Sequence, residues 1–163
     1  MDVQEMLDMI AEQEHILVYD DFSNADALRL GVEIAEQVKE SERPVAIRIY
    51  LEDILVFQYT MRGKEEWHYG WAEKKRQIVE ATGHSSFYVM LQHEHLGKWK
   101  EFEGDETKAY ACGGFPIKVK EKGMIGSVSI SGLVDPQDHN VVVAALSKLM
   151  AKEVPMLPNT AWN

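Results

Sequence analysis

The 163-residue chain holds one cysteine, Cys112, which excludes an intrachain disulfide framework and any multi-cysteine metal site. No apolar run reaches the length of a membrane span, and the first residues are acidic rather than the basic, apolar start of a signal peptide. The expectation is a cytoplasmic protein without a membrane partner. Basic residues are in deficit, 17 Lys and Arg against 27 Asp and Glu, and the net charge of −10 argues against a nucleic-acid partner, because phosphate contact needs clustered cations. That deficit is uneven: residues 1–43 carry −9 and residues 44–163 only −1. There is no internal repeat and no low-complexity linker, and the length suffices for one core. A single domain over residues 1–163 is expected.

What the chain does have is a concentrated run of glycine and proline. Gly113-Gly114-Phe115-Pro116-Ile117 is followed by Gly126 and by Ser129-Ile130-Ser131-Gly132. Glycine permits a positive φ and close approach, while proline fixes its own φ and restricts Phe115 before it. Such a run marks a shaped loop feeding a hairpin, and shaped loops on rigid scaffolds often carry function.

The pattern along the chain gives a coarse architecture. Residues 2–13 read as a short helix and His15–Tyr19 as a short strand. Ser23, with Asp26 in capping-box position, opens a helix whose face is Leu28, Gly31, Ala35 and Val38. Val45–Leu51 and Ile54–Thr60 predict a hairpin around Glu52-Asp53, with Leu51 opposite Ile54, Ile49 opposite Val56 and Arg48 opposite Phe57. One face is then Val45, Ile47, Ile49, Leu51, Ile54 and Val56; the other is Arg48, Tyr50, Leu55, Phe57 and Tyr59. Neither face is polar enough to be wet, so helices, another subunit or a ligand must cover the second.

A helix over 65–82 follows, with Trp67, Trp71, Ile78 and Thr82 near one stripe and Gly83 at its end. The spacing favours a helix over 85–96 and a polar loop over 97–108. In the second hairpin Val119 is expected opposite Met124 and Ile117 opposite Gly126, where the glycine admits close approach of the backbone around 115–117. Asp135-Pro136-Gln137-Asp138 predicts a helix capped by Asp135, with an apolar stripe of Val141, Val142, Ala145, Leu146, Leu149 and Met150. Strands clustered between helices indicate an α+β sandwich with a mainly antiparallel sheet.

Chemistry is sparse. His93 and His95 share a face only if extended, and no third metal ligand is evident, so no metal site is expected. His84 follows a helix end, where an imidazolium meets the dipole favourably. Cys112 precedes the glycine loop and reads as a buried thiol. Ser127, Ser129 and Ser131 alternate along a strand with no base placed for them. The clusters Lys74-Lys75-Arg76 and Lys118/Lys120/Lys122 read as solvated faces, with a small anion or the acidic segment of another copy as the alternatives. The aromatic face with its cation is the stronger candidate: Tyr50, Phe57, Tyr59 and Arg48 are the residue types that a flat, acidic ligand such as a tetrapyrrole needs.

The segment 113–117, Gly126, Ser131-Gly132 and the acidic helix start after them resemble the GlcG/HbpS-like family of haem-degrading-domain proteins. Trp71, Lys74-Lys75-Arg76, Val79, His84-Ser85-Ser86-Phe87 and the stretch 57–63 are similar to its uncharacterised cytosolic branch. The resemblance covers about residues 15–152. It implies a profilin-like fold with a five-stranded antiparallel sheet flanked by helices, and assembly with other copies of the same chain. It also implies haem, or another tetrapyrrole, as a ligand class to be tested, and carries over Gly113, Gly114, Pro116, Gly126 and Gly132 as loop positions. With Phe115 and Ser131 beside them, these join Arg48, Tyr50, Phe57 and Tyr59 as the expected ligand-binding set. The leading expectation is a homo-oligomeric small-molecule-binding protein. The alternatives are a protein-interaction module without catalysis and an enzyme acting on a small anion through His84 or Lys75.

Overall fold

The computed structural model describes residues 1–63 and 65–159. Helix α1 (Val3–Ile16) starts at Asp2, whose carboxylate accepts from the Glu5 amide in a capping box. Helix α2 (Asn24–Val38) is capped by Ser23 with Asp26 reciprocating, as the sequence predicts. Its buried stripe is Ala27, Leu30, Ile34 and Val38; Leu28, expected inside, is exposed. Strands β1 (Ala46–Leu51) and β2 (Ile54–Thr60) form the predicted hairpin. Both turn residues, Glu52 and Asp53, have positive φ, at 48° and 68°, which matches the twist of a two-residue connection. Helices α3 (Glu65–Thr82) and α4 (Ser86–Leu96) come next, then a short 3-10 turn at Lys100–Phe102 inside the expected loop. Strands β3 (Gly114–Val119) and β4 (Gly123–Ser131) lead to helix α5 (Gln137–Met150).

The sheet is antiparallel and has four strands in the order β2-β1-β4-β3, not the five expected. The strand read at 15–19 is the missing one. Helix α1 continues through His15 and Ile16, and the segment after it pairs with the sheet through an isolated bridge from Tyr19 to Val119.

Two irregularities reset the predicted registers. Leu51 does face Ile54, but a shift between Ile49 and Tyr50 puts Ile49 opposite Phe57 and Arg48 opposite Gln58. Because side chains alternate with period two, this one-residue shift carries Phe57 to the other face, where it packs on Gly31 of α2. In the second hairpin Ile117 faces Gly126 as expected, while a shift after Ile117 sets Val119 against Gly123 rather than Met124.

The main core lies between the sheet and α2 and α5, built from Leu30, Ile34, Ile47, Ile49, Phe115, Ile117, Val128, Ile130, Val142 and Leu146. A second cluster joins α1 to α4 through Leu7, Ile10, Phe87, Leu91 and Cys112. The other face of the sheet is covered by α3, which packs on β4, β3 and β1. The expected shield over Tyr50 is therefore a helix of the same chain. The α3 stripe also differs from expectation: Ala72, Lys75, Arg76, Ile78 and Val79 are buried, whereas Trp67 stays 60% exposed.

Candidate functional site

Helix α3 carries charge into the interior. Lys75 and Asp138 are almost wholly buried, and the lysine Nζ donates to Asp138 Oδ2 at 3.0 Å and to the carbonyl of Ile130 at 2.8 Å. The other oxygen of Asp138 accepts from the Leu133 amide at 3.0 Å. One ammonium thus ties α3 to β4 and to the first turn of α5. Asp138 turns inward instead of supporting a cap, and Asp135 does not cap α5 either; the residue at that position is Pro136, after a cis peptide.

Gly113 makes room for this pair. Its φ is +124°, and a Cβ there would collide with the Ile130 carbonyl and come within 3.1 Å of Lys75 Nζ. Next to it, the Gly114 amide donates to Ser86 Oγ at 2.9 Å. Burial pushes the Asp138 carboxyl up to about 6, with the Lys75 charge opposing. Burial likewise pushes the Cys112 thiol well up, so the expected inert thiol is consistent with its setting.

Above the pair opens a cleft of about 340 Å³. Its walls are Trp67, His68 and Trp71 from α3, Arg43, Tyr110, and the turn 131–135. Arg43 is anchored by donating from Nε to the Gly132 carbonyl at 2.7 Å. The Trp67 and Trp71 rings meet edge to face at 5.8 Å, and Lys74 lies over Trp71.

The expected binding residues do not gather in one place. Ser131 and Gly132 line the cleft, while Gly113 lies against the Lys75–Asp138 pair and Gly114 against Val79 and the backbone of Lys75. Arg48 and Tyr50 lie under α3: Arg48 sits 4.6 Å from the Tyr69 ring centre and donates to the Tyr50 hydroxyl at 3.4 Å, and Arg76 covers the Tyr50 ring at 3.8 Å. Phe57 and Tyr59, paired with Ile49 and Ile47 on edge strand β2, are on the opposite face, so the four do not form one wall. Phe115 and Pro116 are buried within β3. Gly126 does admit close approach, but of the Tyr50 carbonyl in β1 rather than of residues 115–117.

Sequence reasoning missed Arg43, His68 and Tyr110. It read Lys75 and Arg76 as solvated, although Arg76 is buried and bonded to Asp53 at 2.9 Å and to Glu73 at 2.8 Å. The one signal for them was a basic triplet inside a helix whose apolar residues are too few to cover a sheet. His84 pairs with Glu14 of α1 rather than with a helix end, and His93 pairs with Glu103 and stacks on Tyr110. On a helix His93 and His95 point apart, and the described residues contain no group of three or more His, Cys, Asp or Glu placed for a metal ion.

Residues 22–147 match the family described as haem degrading protein HbpS-like. The chain belongs to the HbpS-like family. This HbpS-like chain is 35% identical over 159 residues to a UPF0303 protein of Rhizobium johnstonii, covering 96% of this chain and 98% of that protein. Among solved structures it is similar to the Ybr137w protein, with a TM-score of 0.76 and 26% identity over 89% of this chain and 87% of that one. It also shares its fold with PduOC, solved as a haem complex, at a TM-score of 0.62 and 19% identity over 84% of this chain and 99% of that one. The HbpS-like assignment fits the α+β class with its antiparallel sheet. No helix among the described residues is long and apolar enough to cross a membrane.

Proposed function

We propose that this chain is a homo-oligomeric small-molecule-binding protein that takes a flat, anionic ligand in the cleft above Lys75 and Asp138. One observation carries the reading. The cleft sets a 60%-exposed Trp67, backed by Trp71, beside Arg43 and over a buried ion pair. A large ring left in water next to a held cation is the arrangement a planar carboxylate-bearing molecule would cover. The size falls within the roughly 300–1,000 Å³ of small-molecule sites.

Haem, or another tetrapyrrole, is the ligand class that the family and the PduOC haem complex bring forward. The donor chemistry of the cleft fits it. Trp67 and Trp71 would lie against the macrocycle, Arg43 would meet its carboxylates, and His68 is a side-chain type that holds haem iron, while the Tyr110 hydroxyl is committed to the Trp99 carbonyl. In this reading Ser131, Gly132, Gly113 and Gly114 form the loop under the ligand, while Arg48 and Tyr50 support α3 from beneath.

The cleft is open, and the chain supplies one aromatic wall. A second copy supplies the other side. Strand β2 supports such self-association: it is an edge strand with no charged residue from Ile54 to Thr60, and Ile54, Leu55 and Tyr59 are 65%, 41% and 37% exposed. The opposite edge, β3, is instead bridged by Tyr19.

Titration of hemin into the purified protein, followed at the Soret band, tests this. The expected result is saturable binding that weakens about tenfold or more in Arg43→Ala and in Trp67→Ala. Absence of a saturable band removes the haem reading. Saturable binding with unchanged affinity in both variants removes this cleft.

A further inference from the structure

A second groove, of about 300 Å³, is lined by Ala11, Glu14, His15, Val18, His84 and Lys118. It shares no lining residue with the cleft above Lys75. Glu14 of α1 is buried, and both of its oxygens are engaged: Oε1 pairs with His84 Nδ1 at 2.9 Å and Oε2 accepts from Ser85 Oγ at 3.3 Å. Ser85 caps α4, so the carboxylate stands at a helix N-terminus, where the dipole favours its charge.

A carboxylate on Nδ1 fixes the ring orientation and keeps a proton on that nitrogen. Nε2 is then the atom left for a ligand: it donates to an oxyanion oxygen when the ring carries both protons, and accepts from the hydroxyl of a protonated phosphate when it carries one. The ring is held flat by stacking on Tyr88, with centroids 4.7 Å apart, while its side chain remains 40% exposed. Lys118 lines the same groove, half-buried. It forms no ion pair among the described residues, whereas its neighbour Lys120 meets Asp20 at 3.0 Å. The negative end of α1 does not claim it either, because Lys152 Nζ donates to the carbonyls of Ile16 at 3.2 Å and Val18 at 3.1 Å. A simple pin between α1 and α4 would account for Glu14, His84 and Ser85. It gives no reason for a half-buried lysine in the same groove that forms no ion pair among the described residues.

We infer that this groove is a binding site for a small oxyanion of phosphate size, held by Lys118 Nζ and by His84 Nε2, with Glu14 positioning the imidazole. The site stands apart from the proposed ligand cleft, and its test does not depend on haem.

The test is imidazole NMR of the full chain during titration with inorganic phosphate at constant pH and ionic strength, with sodium chloride and acetate as parallel additions. His93, paired with Glu103 at 2.8 Å, serves as the internal control. The expected result is a saturable shift of the His84 signals that spares His93, with affinity falling about tenfold or more in Lys118→Ala. Saturation by acetate as well supports a general oxyanion site; failure of acetate supports selectivity for the tetrahedral ion. A His84 shift that does not saturate, that chloride reproduces, or that keeps its affinity in a folded Lys118→Ala overturns the inference. If Lys118→Ala alters the amide spectrum, Lys118→Gln carries the same comparison.

Discussion

The two faces of the sheet are held by different physics. Toward α2 and α5 the contacts are apolar and fully buried, with Ile47, Ile49, Val128 and Ile130 meeting Leu30, Ile34, Val142 and Leu146. Toward α3 the apolar contacts of Ala72, Ile78 and Val79 are joined by polar and charged ones. Ser127 donates to Glu80, Arg48 lies on Tyr69, Arg76 bridges Glu73 and Asp53 over the Tyr50 ring, and Lys75 joins Asp138. Apolar packing is non-directional and tolerates substitutions that conserve volume. Buried ion pairs are directional, and each fails if one partner is removed. The cleft opens on the second face, where charges are already desolvated and cannot be exchanged freely.

The largest effect that this contrast predicts is on Lys75. Lys75→Met should destabilise the protein by about 3–5 kcal/mol by stranding the Asp138 carboxylate, and the double change Lys75→Met/Asp138→Leu should recover most of that loss. Urea unfolding of both variants checks it; a double variant no better than the single one would break the contrast. On the apolar face, Ile47→Ala should cost about 2–5 kcal/mol through lost burial and a cavity, by the same amount at acid and neutral pH.

A smaller effect separates two neighbours in α5. Burial raises Asp138 from 3.8 to about 6, so the native state holds its proton more tightly; the stability it contributes is complete below about 4 and lost as pH rises through about 6. His139 packs on Phe87 and Phe115 and pairs with Gln13, and burial lowers it from 6.5 to about 3. Its contribution is complete above about 6.5 and lost as pH falls toward 3. The two slopes oppose each other between about pH 4 and 6. Asp138→Asn should therefore steepen the loss of stability on acidification, and His139→Gln should flatten or reverse it, as read from urea midpoints across that range.

Much of the frame is legible in the sequence because it rests on short-range chemistry. The Ser23/Asp26 capping box, the Gly83 stop after α3 and the turn that sets Leu51 against Ile54 are all as predicted. What escapes is set by single residues or by distant partners. One bulge at Ile49/Tyr50 moves Phe57 across the sheet and dissolves the expected aromatic wall, and nothing in an alternating apolar run marks it. The Glu14–His84 and Lys75–Asp138 pairs join residues 70 and 63 positions apart, beyond the reach of any local pattern. The helix start at 135–138 misleads for a related reason: Asp138 finds a stronger partner in Lys75 than in its own helix terminus. Of the proposed site, the glycine loop was visible, while Arg43, His68 and Tyr110 converge only once α3 is laid over the sheet.

The most direct test is native mass spectrometry of the protein purified from its own host, with Arg43→Ala and Trp67→Ala prepared alongside. The prediction is an assembly of more than one chain carrying a retained small-molecule mass that both substitutions deplete. A bare single chain, or a retained mass indifferent to both, would contradict a shared ligand cleft on the charged face of the sheet.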